Sequence, residues 1–549
     1  MRGRRHGTRA SGARAAARSG ETAPVSSDSE RPRVVRSTAI FSLATGLSRV
    51  LGLVREIVVR RYFGVDGAGI NAFVAAFQVP NLVRSLVADQ ALAAAFVPIF
   101  SELLEKGERA RAWRVASSLL WIFLLGLTAI TALFVLAAPL VMRLFGFEGE
   151  QLDLAVVLSQ ILFPIVVLLG LFGIVTAILN SYEHFSVPAL TPVFWNLAII
   201  AGLVVGVPRA DTERAELYVY AGSIVVATLV QLLLPLPWLR GRDDRLRVAV
   251  DWRDPMIRRT FVLMAPVTLG LGLINVNQVI GTLFAARFVD RTLAPAAIDA
   301  AFRIYMLPQG MFSVAVATVL FPTLSRLAAR DDLAGVRRTI GVGLRQIAFL
   351  LVPASVASAV LAEPIVRVLY ERGEFTPDET RVVAGALAAF SAGLTFNGMM
   401  LMLNRGFFSL QAPKIPTLVA LGNLGFNTLL YALLHPLGVW GIPLAISIAN
   451  LAATAALLVL LRRRLGRIDF GETLSALVRI AAAAAALAAV AYPVWRVLDD
   501  ALGRALLAQV ASLGAALALG GAAYLLAARL LRVREIDALL SLRARFRRA

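Results

Sequence analysis

The stretch Leu47-Ser48-Arg49-Val50-Leu51-Gly52-Leu53-Val54-Arg55-Glu56 places three charged side chains inside a long apolar segment that begins near Ser37. Arg49 lies about twelve residues into this segment, close to the middle of a membrane span of roughly 20 residues. A charged side chain at that depth costs at least about 2.5–3.5 kcal/mol, and arginine cannot avoid this cost by losing its proton. The segment is therefore predicted to be a transmembrane helix whose charges need compensation.

Glu56 is the acid nearest to these arginines. Arg49 and Glu56 are seven residues apart, so they share a helix face, and Arg55 lies beside them. An internal ion pair between Glu56 and one arginine is one interpretation. Because a single carboxylate cannot neutralise two guanidinium groups, one positive charge is left over for a water-filled cavity or an anionic ligand.

The composition is that of a polytopic membrane protein, since 58% of the 549 residues are hydrophobic. The chain has no cysteine, which excludes disulfides and thiolate metal sites. It contains no G-x-x-x-x-G-K-[ST] phosphate loop, so no ATPase motor is recognised and no cofactor is expected. The net charge of +20 comes from arginines in the tails and in alternate loops, a pattern that indicates cytoplasmic loops and not a nucleic-acid partner.

Hydropathy predicts an all-α protein with fourteen transmembrane helices. The predicted spans are 37–60, 71–101, 115–142, 153–179, 187–207, 217–238, 259–286, 296–325, 340–362, 382–404, 414–434, 440–461, 474–494 and 504–530. If the N-terminus is inside, the inner loops are richer in lysine and arginine than the outer loops, among which Arg60 and Arg61 are counted. This alternation predicts that both termini are cytoplasmic.

The chain also repeats itself. Pro98 and Pro322 lie in similar segments 224 residues apart, and Asn180 and Asn404 are separated by the same distance. Spans 1–6 and 7–12 are therefore predicted to be two copies of one six-helix unit. Because six is even, the copies should be related by a pseudo-two-fold axis along the membrane normal. Spans 13 and 14 lie outside the repeat.

These patterns predict six divisions of the chain. They are a disordered, arginine-rich cytoplasmic tail (1–36), an N-lobe (37–238), a basic cytoplasmic linker (239–258), a C-lobe (259–461), the appended spans 13 and 14 (462–530) and a basic cytoplasmic tail (531–549).

Further polar residues lie within spans 2 and 8. In span 2, four of them recur at helical spacing with Arg84 at the edge of the stripe: Gln78, Asn81, Ser85 and Asp89. Such a helix must face protein or water. Amides in membrane helices commonly hydrogen-bond to neighbouring helices, and Arg84 could pair with Asp89. In span 8, Arg303 has Asp299 as its only acid within the span.

Arginines exceed acids in the membrane interior. The tally is Arg49, Arg55, Arg84 and Arg303 against Glu56 and Asp89. Two facing lobes would bring these side chains into one cationic cavity with an anionic ligand. Arginine, more than lysine, suits bidentate contact with phosphate oxygens.

Several motifs resemble the MurJ (MviN) family of lipid II flippases, in the multidrug/oligosaccharidyl-lipid/polysaccharide exporter superfamily. The resemblance covers about residues 37–535. It is carried by Ser48-Arg49-Val50-Leu51-Gly52-x-x-Arg55-Glu56, Asn71-Ala72-Phe73, Pro80-Asn81-Leu82-x-Arg84, Ala95-Phe96-Val97-Pro98, Leu179-Asn180, Arg303 and Phe321-Pro322-x-Leu324-Ser325. The first two spans carry the most specific part.

The resemblance implies transport of the undecaprenyl-pyrophosphate-linked peptidoglycan precursor to the outer leaflet of the cytoplasmic (inner) membrane, for cell-wall synthesis. It implies that Arg49, Arg55, Arg84 and Arg303 hold the pyrophosphate in the central cavity. The cavity or gating residues would be Glu56, Asn71, Gln78, Asn81 and Asp89. Spans 13 and 14 would offer a groove for the lipid tail, and membrane lipids would be the other partners.

The chain departs from the family in places. Asn71 stands where the family often has aspartate, and Asp89 where it has glutamate. Some members bind sodium in the second lobe through a carboxylate. Spans 7 and 11 offer only amides at such positions: Asn275, Asn277, Asn423 and Asn427. No metal site is predicted here, and the coupling ion is left open.

Two other functions are weighed against the flippase. An ion-coupled exporter of drugs, or of another lipid-linked oligosaccharide, would have the same fold, but a cationic cavity disagrees with mostly cationic drugs. An enzyme acting on a lipid phosphate needs an acid–base or metal constellation. The histidines at 6, 184 and 435 fall in the tail and in two loops, so the chain is not expected to be an enzyme.

Overall fold

The computed structural model describes residues 27–87, 90–466 and 470–536, and within these ranges the chain is helical without any strand. Its α-helices are α1 Ser27–Phe63, α2 Ala68–Val87, α3 Gln90–Glu105, α4 Arg109–Leu144, α5 Gly149–Leu162, α6 Ile165–Ser181, α7 Ser186–Gly206, α8 Glu213–Leu233, α9 Pro255–Phe284, α10 Ala294–Pro308, α11 Val314–Ala329, α12 Leu333–Val360, α13 Ala362–Tyr370, α14 Pro377–Ser409, α15 Lys414–Leu434, α16 Gly441–Leu465, α17 Phe470–Leu502 and α18 Leu506–Leu530.

Eleven helical segments of the described residues are long and apolar enough to cross a membrane. They coincide with spans 3–6 and 8–14 of the prediction, which confirms an all-α polytopic membrane protein. Predicted spans 1, 2 and 7 fall on α1, on α2 and α3, and on α9. That these three segments also cross the membrane, which would give fourteen spans in total, stays a prediction.

Where the residues of a predicted span are all described, two spans contain local breaks in the helix, spans 4 and 8. Span 4 divides at Pro164 into α5 and α6. In span 8, a π-helical segment, Gln309–Ser313, directly follows Pro308 and separates α10 from α11. Proline removes a backbone donor and disturbs the preceding turn, and π-helical segments are frequent at functional sites.

The helices pack mainly within two groups that follow the predicted lobes. In the first group, α4 packs on α5 and α6, and α7 packs on α1 and α8; in the second, α14 packs on α12 and α16, and α15 on α16. Helix α9 lies between the groups, because it packs on α2 and α3 as well as on α15. The lobe boundaries themselves stay predictions.

The hairpin of α17 and α18 packs on α12 and α13 of the C-lobe. Arg367 of α13 is buried, and its Nη1 lies 3.1 Å from Asp499 Oδ2 and 3.2 Å from Gln509 Oε1. Arg345 of α12 pairs with Glu535 at 2.8 Å beyond the end of α18. Both ends of the hairpin are thus tied to the C-lobe by arginines.

The structure differs from the sequence prediction in three details. Residues 27–36 of the predicted disordered tail form the start of α1, since each residue added to an existing helix gains a hydrogen bond; residues 1–26 of that tail lie outside the described residues. Arg60, assigned to an outer loop, lies within α1 and is 1% exposed. The segment 363–381 between predicted spans 9 and 10, which the predicted orientation makes an outer loop, contains all but the first residue of α13, a helix of nine residues that is too short to appear as a span.

Orientation in the membrane stays a prediction that surface cysteines can test. Val248, in the predicted inner linker, and Arg381, in the predicted outer loop, are both exposed. In this cysteine-free chain, an impermeant thiol reagent added to intact cells should label Arg381→Cys and not Val248→Cys. Permeabilised cells, in which both variants should react, are the control. Labelling of Val248→Cys alone in intact cells would show that the orientation is the opposite of the predicted one.

Candidate functional site between the lobes

A buried ion-pair cluster joins α1 of the N-lobe to α10 of the C-lobe. Its centre is the guanidinium of Arg60, whose Nη2 donates to Glu56 Oε1 at 3.0 Å and to Asp299 Oδ2 at 2.9 Å. Glu56 lies one turn before Arg60 on α1, while Asp299 belongs to α10. Arg60 therefore bridges two carboxylates from opposite lobes.

Arg303 makes the matching bridge from α10. Its Nε lies 2.9 Å from Asp299 Oδ2 and 3.0 Å from Glu56 Oε1. The four side chains alternate in charge and form a closed ring, with one acid and one arginine from each helix. Removing one partner from such a buried set leaves an uncompensated charge, which is strongly destabilising.

Arg55 adds a third positive charge at the edge of this ring. Its Nη2 is 3.6 Å from Glu56 Oε2, and its guanidinium lies over the indole of Trp195, 4.9 Å from the ring centroid. Aromatic faces attract cations. Three guanidinium groups against two carboxylates leave the cluster with one surplus positive charge.

The arginines differ in exposure, which suggests different roles. The side chain of Arg60 is 1% exposed, that of Arg55 is 12% exposed and that of Arg303 is 36% exposed. Arg49, almost two turns before Arg55, is exposed, and its Nη1 is 3.4 Å from the carbonyl oxygen of Gly310 in the π-helical segment. Charge thus extends from the buried ring toward solvent along the surface between the lobes.

The polar residues predicted for span 2 are arranged differently. Asn81 accepts from Arg84 Nη2 at 2.9 Å and from Nε at 3.2 Å, so these two pair within α2. Gln78 is half-buried on the same helix, and Asp89 lies outside the described residues. Arg84 therefore belongs to α2's own polar stripe, while Arg55 and Arg303 meet at Glu56.

Asn71, predicted to line the cavity or gate it, is fully buried at the lobe interface. Its Nδ2 donates to the carbonyl oxygens of Val65, Gly67 and Thr292, the last at 2.5 Å, and its Oδ1 accepts from Ala296 N at 2.8 Å. Thr292 and Ala296 lie on the C-lobe side. Asn71 therefore fastens the start of α2 to the start of α10.

One amide of span 7 and one of span 11 form a separate polar contact. Asn427 of α15 donates to Asn277 Oδ1 of α9 at 3.1 Å, and Tyr431 lies 3.5 Å from the same oxygen. This is ordinary hydrogen bonding between membrane helices. Among the described residues, no group of three or more histidine, aspartate or glutamate side chains could hold a metal ion.

Sequence reasoning missed the role of Arg60 and underrated Asp299. A signal was present, because Glu56 and Arg60, and likewise Asp299 and Arg303, are four residues apart. Such spacing places an acid and a base on neighbouring turns of one helix. The pairing between the two helices, and the contacts of Trp195 and Gly310, depend on tertiary structure alone.

Comparison with known proteins gives a consistent result. The family model described as "Lipid II flippase MurJ" matches residues 59–499. A probable lipid II flippase MurJ of Rhizobium tropici is 32% identical over 427 residues, covering 77% of this chain and 79% of that protein. Its counterpart from Vibrio cholerae is 33% identical over 395 residues, covering 70% and 74% respectively.

Solved structures show the same fold. A lipid II flippase MurJ in an inward closed conformation superposes with a TM-score of 0.75 at 24% identity, covering 91% of this chain and 100% of that one. An inward-facing multidrug resistance MATE transporter gives a TM-score of 0.66 at 17% identity and covers 76% of this chain. Since the family model extends over most of the sequence, from the end of α1 to α17, the chain belongs to the lipid II flippase MurJ family.

Proposed function

We propose that this chain is a flippase that moves lipid II from the inner to the outer leaflet of the cytoplasmic membrane for cell-wall synthesis. The observation that carries the proposal is the surplus positive charge of the cluster between the lobes. Lipid II presents a pyrophosphate, and a buried surplus cation is best compensated by an anion. The proposed role is transport and not catalysis, with both termini in the cytoplasm.

The arginines are proposed to have different roles in binding, according to their exposure. Arg49 and Arg303 are accessible enough to grip the pyrophosphate, and Arg55 contributes its charge from the edge of the ring. A guanidinium group can fork onto two phosphate oxygens, which a lysine ammonium cannot. Arg84, which pairs with Asn81, is proposed to meet the substrate from α2.

The ring also suits alternating access. The contacts of Arg60 with Asp299 and of Arg303 with Glu56 cross between the lobes, whereas Glu56–Arg60 and Asp299–Arg303 each lie on one helix. When the lobes separate on this side, each helix keeps one acid–arginine pair. Separation therefore exposes no unpaired carboxylate, and the charge of Arg55 is left to a bound anion.

The lipid tail would stay in the bilayer, next to the α17–α18 hairpin, whose outer surface carries exposed leucine and valine side chains. Because arginines tie the hairpin to the C-lobe, we propose that it moves with that lobe. The lipid tail would then be guided by the C-lobe, while arginines of both lobes hold the pyrophosphate.

Arg49 tests pyrophosphate recognition. Replacing it by lysine keeps the charge but loses the fork, and Arg49→Ala loses both. A hydrogen bond to a charged group is worth about 1.5–3 kcal/mol, so Arg49→Ala should weaken lipid II binding by the purified protein roughly ten- to hundredfold. Arg49→Lys should fall between this variant and the wild type.

Arg496→Lys, at an exposed arginine of α17, is the matched control and should bind as the wild type does. If Arg49→Ala binds lipid II with unchanged affinity while its amount and thermal stability are normal, Arg49 has no part in recognition.

Arg60 should behave differently, because it is buried and bonded to both carboxylates. Arg60→Met removes the most buried arginine of the ring and leaves Glu56 and Asp299 to share the half-exposed Arg303 alone, so it should cost about 3–5 kcal/mol of stability. The expected result is a lower amount of protein in the membrane and a lower melting temperature in detergent. Arg61→Met, at the exposed neighbouring position, should change neither, and a stable Arg60→Met protein would remove the structural role of the ring.

A further inference from the structure

The turn between α1 and α2 meets the turn between α13 and α14 in a further contact between the lobes. Glu379 of α14 accepts hydrogen bonds on Oε1 from the backbone N–H groups of Val65 at 2.5 Å and Asp66 at 2.7 Å. Nearby, the N–H of Glu374 donates to the carbonyl oxygen of Arg61 at 2.9 Å. These three hydrogen bonds are called the outer latch below.

Two glycines, one from each lobe, make this close approach possible. Gly64 has φ +55°, and a Cβ atom there would lie 2.6 Å from Glu379 Oε1. Gly373 has φ +66°, and a Cβ atom there would overlap the carbonyl oxygen of Arg61. Both backbones are left-handed, a conformation that favours glycine. The sequence of each turn is thus adapted to the other lobe.

Glu379 serves both lobes, one with each carboxylate oxygen. Its Oε2 accepts from the backbone N–H of Thr376 at 2.5 Å, and the Thr376 hydroxyl accepts from Glu379 N at 3.3 Å, which completes a capping box at the start of α14. Oε1 faces the N-lobe. The carboxylate is 4% exposed and is stabilised by peptide N–H groups and by the N-terminal end of the helix dipole.

We propose that Glu379 is a positioning residue that holds the predicted outer side closed and releases it during each transport cycle. On release, water replaces the two N-lobe peptide N–H groups as donors to Glu379 Oε1, while the capping box of α14 still holds the carboxylate. Closure is therefore reversible without any change in the fold of α14. This inference rests on the alternating access proposed above, but not on the identity of the substrate.

The test measures the distance between the lobes. Arg214 of α8 and Arg381 of α14 are exposed on the predicted outer side, so spin labels at Arg214→Cys and Arg381→Cys report opening in proteoliposomes. Without substrate, the distribution should be mainly short. Glu379→Ala should raise the ratio of long to short distances at least about tenfold, as the loss of two charged hydrogen bonds implies.

Gly64→Ala disturbs the same contact from the N-lobe and should also raise the ratio of long to short distances. Thr376→Ala removes one hydrogen bond of the capping box but none of the outer latch, and should leave the distances as in the wild type. Wild-type distances in both Glu379→Ala and Gly64→Ala would overturn the proposal. An equal shift in Thr376→Ala would also overturn it, because helix capping would then explain the effect.

The distance measurement needs no lipid II. A chain that shows the expected shifts but moves no lipid II would contradict the proposed substrate and support the latch. If the chain moves lipid II but the latch variants leave the distances unchanged, the proposed substrate would be supported and the latch contradicted.

Discussion

The structure depends on one constraint: three arginines and two acids must share a buried position between two helix groups. Arg60 could not occupy that position alone, since it is almost completely buried. Glu56 and Asp299 compensate its charge from opposite lobes and draw α1 and α10 together. Arg55 adds one positive charge beyond those that the two acids neutralise, so the charges that hold the lobes together are also the ones proposed to bind the anionic ligand.

Such an interface must open without a large loss of stability if the protein is a transporter. The ring meets this requirement because each acid has an arginine one turn away on its own helix. Contacts between the lobes can break while those within each helix remain. Asn71 and Glu379 follow a related principle, because both bond to backbone groups of the other lobe and each keeps hydrogen bonds within its own lobe. The interface is thus held by many contacts, and those between the lobes can break while those within each lobe remain.

Much of this could be predicted from sequence, since membrane helices are specified locally by hydropathy and the family by motifs in spans 1 and 2. The predicted interior arginines Arg55 and Arg303 do lie together at Glu56. The role of Arg60 was not predictable from hydropathy, because a charge near the end of an apolar segment looks like a loop residue. Helix α13 was missed for a similar reason: it is short and amphipathic. Contacts such as that of Glu379 with the turn at Gly64 join residues more than 300 positions apart, and no local pattern encodes them.

The most direct test of the central claim is the leaflet position of lipid II in living cells. Cells depleted of their own flippase are complemented with this chain, and labelled lipid II is probed with a reagent that reaches only the outer leaflet. The expected result is that the wild-type chain restores outer-leaflet lipid II and that Arg303→Ala, present at normal levels, does not. Outer-leaflet lipid II that stays absent with the wild-type chain correctly inserted, or that returns fully with Arg303→Ala, would contradict it.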